Sequence, residues 1–227
     1  MRRVRWLAAE WPLPMRTLAS RIKSRPFRKE SFAGFILDRT RDTHLDGRYV
    51  EKLSIQEKVT SPFGEEQVFD RTIYRELKFC LFSDFPNMEL WDAPRSTTGY
   101  ISQLVELNNF EVTITPLSVD LLQWVAGIEA NIQTKVTIDS LQISGLEVES
   151  GVTARILIVG DRDVKDAAQK IARGKKFELD RVHLRFASPS DPVRIHLSRT
   201  GTMKVEEAFI DDYLEPVRRA LPRPRAE

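Results

Sequence analysis

From Gly34 onward, apolar and polar side chains take turns along the chain, as in Tyr49-Val50-Glu51-Lys52-Leu53-Ser54-Ile55 and again from Phe69 to Leu81. A period of two puts successive side chains on opposite faces of a pleated strand, so this pattern commits much of the chain to sheet with one face turned inward. The segments Phe110 to Thr115, Val136 to Val148 and Val152 to Val159 are rich in β-branched residues and extend the prediction.

Between these stretches the period changes. After Pro94, Ser96 or Thr97 can cap a helix carrying Ile101, Leu104 and Val105 on one side. A second helix follows Ser118, with Leu121, Leu122, Val125 and Ile128 inward. A third is capped by Asp163, buries Val164, Ala167, Ala168 and Ile171, and stops at Gly174. The last runs from about Glu206 to Arg219 and buries Phe209, Tyr213 and Val217. The expected fold is therefore α+β: a predominantly antiparallel, curved sheet or pair of sheets with about four packed helices. At 227 residues, 41% of them apolar, the chain can fill a sizeable core.

Charge sets the boundaries. Residues 1–30 hold nine basic side chains up to Lys29, and they are broken by Pro12, Pro14 and Pro26. Leu13, Leu18 and Ile22 within them are at loosely helical spacing. This predicts a basic amino-terminal appendage with one short helix, followed by an α+β domain over 31–221 and a tail over 222–227. A second basic cluster, Arg218, Arg219, Arg223 and Arg225, closes the chain. A strand hairpin followed by a helix occurs at 77–107 and again at 181–219, which leaves open two related halves split near residue 129.

The segment most informative about function is 181–198. It reads Arg-Val-His-Leu-Arg-Phe, then a turn-rich link from Ala187 to Pro192, then Val-Arg-Ile-His-Leu-Ser. With the turn centred between Pro189 and Ser190, Val182 meets Leu197, Leu184 meets Ile195 and Phe186 meets Val193 on one apolar face. The reverse face then gathers Arg181, His183 and Arg185 beside Arg194, His196 and Ser198, with the two histidines directly opposite and no acidic residue among them. Guanidinium forks and imidazole donors in one place suit an anion, and phosphate above all. The competing structural reading is a water-facing side of an antiparallel sheet, where such residues are ordinary.

Other chemistry is thinly supported. Glu76-Leu77-Lys78 and Asp163-Val164-Lys165 match the acidic-x-lysine tripeptide of metal-dependent nucleases, but chance alone supplies such tripeptides in a chain this charged. Asp161, Asp163 and Asp166 follow a buried strand, where shaping a turn and capping a helix account for them. Cys80, the one cysteine, sits in the apolar run Leu77 to Phe82 and reads as core. It excludes a disulfide within the chain and a multi-cysteine zinc site.

The expectation is thus a non-enzymatic binding or adaptor subunit that engages a polyanion through Arg181, His183, Arg185, Arg194 and His196, with help from its amino-terminal arm. It takes no cofactor and no metal. The expected partner is another protein, with nucleic acid as the second class. The alternatives are a metal-dependent nuclease or hydrolase, and attachment to an anionic membrane surface through the basic amino terminus with Trp6 and Trp11. No apolar run approaches the length of a membrane span and the start lacks the apolar stretch of a secretion signal, so the expected location is the cytoplasm.

Overall fold

In the computed structural model, which describes residues 1–187 and 192–223, the strands are β1 (Arg2–Glu10), β2 (Ala33–Thr40), β3 (His44–Thr60), β4 (Glu66–Phe82), β5 (Met88–Trp91), β6 (Thr113–Pro116), β7 (Val136–Glu149), β8 (Val152–Val159), β9 (Glu178–Phe186), β10 (Val193–Ser198) and β11 (Thr202–Val205). The described α-helices are α1 (Met15–Lys23), α2 (Thr98–Leu107), α3 (Leu121–Ile132), α4 (Lys165–Ala172) and α5 (Ile210–Arg219). No helix among the described residues is long and apolar enough to cross a membrane. The chain forms two compact units. One comprises Met1–Ala8, Phe85–Asp92 and Ile114–Glu227, and the other Ala9–Asp84 and Ala93–Thr113.

In the first unit the strands lie in the order β5-β1-β11-β10-β9-β7-β8, and each neighbouring pair is antiparallel. Alternation sorts the sheet's two faces. Val4, Trp6, Ile138, Leu184, Ile195, Leu197, Met203 and Val205 fill the inner one and are all essentially buried. Trp124 and Ile128 of α3, Ala168 and Ala172 of α4, and Val217 of α5 pack into the same core. The Trp6 and Trp124 rings meet edge to face at 5.9 Å, and the Trp124 indole donates to the Val217 carbonyl at 2.9 Å. Among the described residues Glu89 of β5 is the one buried acid, and burial is the largest influence raising its pKa. It accepts hydrogen bonds from the Trp6 and Trp91 indoles at 2.9 and 2.7 Å, which satisfies a carboxylate that is only 2% exposed.

The second unit packs α1 and α2 against β2-β3-β4. Its core is aromatic: Phe35, Tyr49, Phe79 and Tyr100 make ring contacts of 5.1 to 6.1 Å. The β3–β4 ladder runs unbroken from His44↔Phe82 to Thr60↔Glu66, whereas β2 pairs β3 only from Ala33↔Glu51 to Thr40↔Leu45. Beyond Glu51, β3 and β4 continue as a two-stranded ribbon.

Several expectations are corrected here. The basic start is not an appendage: Arg2–Glu10 is a strand paired to β5 on one side and β11 on the other. Dense positive charge hid the alternation Arg3-Val4-Arg5-Trp6, whose apolar members are fully buried. The short helix expected behind it is α1, with Leu18 and Ile22 inward. Cys80 is half-buried, not core, because Leu77, Phe79 and Leu81 take the inward row of β4. Leu122 and Ile171 are exposed and Ile101 and Val105 only half-buried; Tyr100, Trp124 and Ala172 take the inward positions instead. Phe110 stands 76% exposed at a positive φ of 62°, so the strand expected from there begins at Thr113. The link at Pro189 and Ser190, and Arg225 of the terminal basic cluster, lie outside the described residues.

Candidate functional site: a cationic sheet face

Strands β9 and β10 pair in the register read from their sequences: Arg181↔Ser198, Val182↔Leu197, His183↔His196, Leu184↔Ile195, Arg185↔Arg194 and Phe186↔Val193. The apolar row is buried under the helices, and the polar row lies on the reverse. There the His183 and His196 rings stack face to face, with centroids 3.8 Å apart and planes 11° from parallel. Burial is the largest influence holding both imidazoles below their ordinary value of 6.5. For His183, Arg181 and Lys204 push the same way and Asp139 opposes them. For His196, stacked His183, Lys204 and Arg194 add to the lowering, again against Asp139.

The face is wider than the hairpin. Lys204 of β11 pairs with His196, and Arg3 of β1 pairs with Lys204; Arg5 pairs with Thr202 in the same row. One side of four adjacent strands therefore carries Arg181, Arg185, Arg194, Lys204, Arg3 and Arg5. Among the described residues Arg3, Arg5, Arg181, Arg194 and Lys204 have no acidic partner within ion-pair distance, and the Arg5 Nε is buried without a hydrogen bond. Toward β8, the face continues through Thr137, Ser140 and Gln142 of β7 to the exposed Leu157 and Val159 on the sheet's edge strand.

Two sequence expectations need correction at this site. The face does hold an acidic residue. A bulge in β7, where the register slips between Ile138 and Ser140 against β9, brings in Asp139. The Asp139 carboxylate lies 4.0 Å from the Arg185 Nε, and Arg185 also donates to the Asp161 carbonyl at 2.6 Å. Arg185 is thus tied into the protein, and the free cations are those flanking it. Sequence reasoning places Arg3 and Arg5 in an amino-terminal arm and not on this face, and it misses Lys204. The signal for the first two is the same period of two that marks every other strand here, and for Lys204 it is the four-residue run Thr-Met-Lys-Val.

The other singled-out residues do not come together. Glu76 lies 3.5 Å from Arg48, which also binds Asp38 at 3.0 Å. Asp163 accepts from the Lys165 backbone N–H at 2.9 Å and from that of Ile138 at 3.4 Å, so it stitches the start of α4 to β7. No three His, Cys, Asp or Glu among the described residues gather in a way that could hold a metal ion. Of the arginines crowded into the first 29 residues, Arg2, Arg16, Arg21 and Arg25 face Asp92, Asp42, Glu111 and Glu106 respectively.

No protein-family model matches the chain, and no curated protein matches it.

Proposed function

We propose that the protein is a non-enzymatic binding subunit whose cationic sheet face takes up a polyanion, the sugar-phosphate backbone of a nucleic acid. The observation that carries this reading is the run of five side chains, Arg3, Arg5, Arg181, Arg194 and Lys204, without acidic partners among the described residues, on the side of the sheet opposite the helix-covered core. Adjacent strands lie about 4.8 Å apart, so the cations span roughly 14 Å from β9 to β1, enough for a few successive phosphates. Forked guanidiniums suit phosphate oxygens, and the stacked imidazoles between them add donors. Among the described residues no tryptophan, tyrosine or phenylalanine of β9, β10, β11 or β1 shares the side of the sheet that carries these cations, so the reading implies recognition of backbone with little preference for base sequence.

Fluorescence anisotropy with a labelled oligonucleotide tests it. About four phosphate contacts give a slope near −3 in log affinity against log salt, a loss of several tens-fold between low and moderate ionic strength. Arg194→Ala and Lys204→Ala should each lower the slope by about one. Affinity indifferent to salt, or surviving Arg181→Ala combined with Arg194→Ala, would overturn the proposal.

A further inference from the structure

The outer β3–β4 ribbon belongs to the other unit, and its faces differ in character. Pairing Leu53↔Ile73, Ile55↔Arg71, Glu57↔Phe69 and Val59↔Gln67 puts five apolar side chains on one face. The reverse face, through Ser54↔Thr72, Gln56↔Asp70, Lys58↔Val68 and Thr60↔Glu66, is mainly polar and contains the Lys58–Glu66 ion pair at 2.6 Å. On the apolar face Ile55, Val59 and Phe69 are 39%, 49% and 52% exposed. An isolated two-stranded ribbon is marginal in water, and one with an uncovered apolar face invites a partner.

The charges on that face say what the partner is. It carries one acid, Glu57, and one base, Arg71, and neither has an ion pair among the described residues. They sit at adjacent levels on opposite strands. If a second ribbon is laid face to face by a two-fold axis running across the strands, the 55/71 level of one copy falls over the 57/69 level of the other. Arg71 of each copy then shares a level with Glu57 of the other, one strand across, while Leu53 comes over Val59 and Ile73 over Gln67. The pattern is self-complementary, as a two-fold interface requires. We propose that this ribbon is a self-association arm that pairs with the same ribbon of a second copy of the chain. The patch is smaller than a standard interface, so the dimer is weak and reversible.

Sedimentation velocity on the full chain, from about 1 to 100 µM, should show a monomer–dimer equilibrium. Glu57→Arg and Arg71→Glu should each weaken dimerisation at least about tenfold, since each sets like charges at the same level, one strand across. Mixing the two variants should restore dimers, because one copy then offers two arginines to the other's two glutamates. Both lie on an exposed ribbon, and circular dichroism checks that each variant folds. A wild-type chain monomeric throughout would overturn the proposal and leave the face to a different partner. So would dimers that persist in both single variants, or a mixture that stays monomeric.

Discussion

At the scale of single residues, the buried polar groups separate those with partners from those without. Tyr100 is 1% exposed, its hydroxyl has no hydrogen-bond partner among the described residues, and burial holds its pKa well above the ordinary 10. An unpaired buried hydroxyl costs more than it returns. Tyr100→Phe should therefore leave stability unchanged or raise it by up to about 1 kcal/mol in urea unfolding. The imidazole pair makes the opposite kind of prediction. Both pKa values are lowered on folding, so the unfolded chain binds protons first as pH falls below 6.5. The pair's contribution is neutral above that value and turns destabilising below it, until the folded rings themselves protonate. The melting temperature of wild type should consequently drop more steeply from pH 7.5 to 5.5 than that of the His183→Gln, His196→Gln double variant. A bound polyanion reverses the bias and should raise both imidazole pKa values in an NMR titration.

At the scale of elements, β1 shows how one strand answers to two demands. Val4 is fully buried against the core, while its neighbour Arg3 stands opposite Lys204 on the cationic face. Val4→Asp puts an unpaired charge into the core and should cost more than about 3 kcal/mol, measured by denaturant unfolding. Arg3→Glu should leave unfolding nearly unchanged and weaken oligonucleotide binding alone. The same strand marks the limit of what the sequence showed. Strands β7 to β10 were legible because their alternation is long and their apolar members are Val, Ile and Leu. The pairing of β9 with β10 followed from matching two such rows. β1 was not legible, because a run of arginines resembles a solvated arm until its tryptophan and valine are given something to pack on. Asp139 could not be foreseen either, since a bulge changes which side a residue faces without leaving a mark in the local pattern. Helix faces slipped where two apolar positions competed: beside Leu121 and Trp124 there is no room inward for Leu122.

At the scale of the whole molecule, the chain passes between its two units repeatedly, since three segments build one and two build the other. A cut near residue 129 falls within α3, and no single contiguous stretch contains either unit. Residues 114–227 alone would lack β1 and β5, leaving β11 without a neighbour on one side and Trp124 without Trp6. This fragment should give a poorly dispersed amide NMR spectrum and no cooperative melt, and adding residues 1–113 as a second polypeptide should restore both. The β1–β11 ladder also bears on how the protein comes into being. It joins Arg2 to Val205, so β1, whose partner β5 follows much sooner, meets its other sheet neighbour only after the long stretch of chain between them has been synthesised. Loop closure over most of the chain makes such a pairing slow. Until then the edge of β1 that β11 will cover stays open to other chains, so yield from cells should depend on chaperone supply during translation more than the stability of the finished protein would suggest.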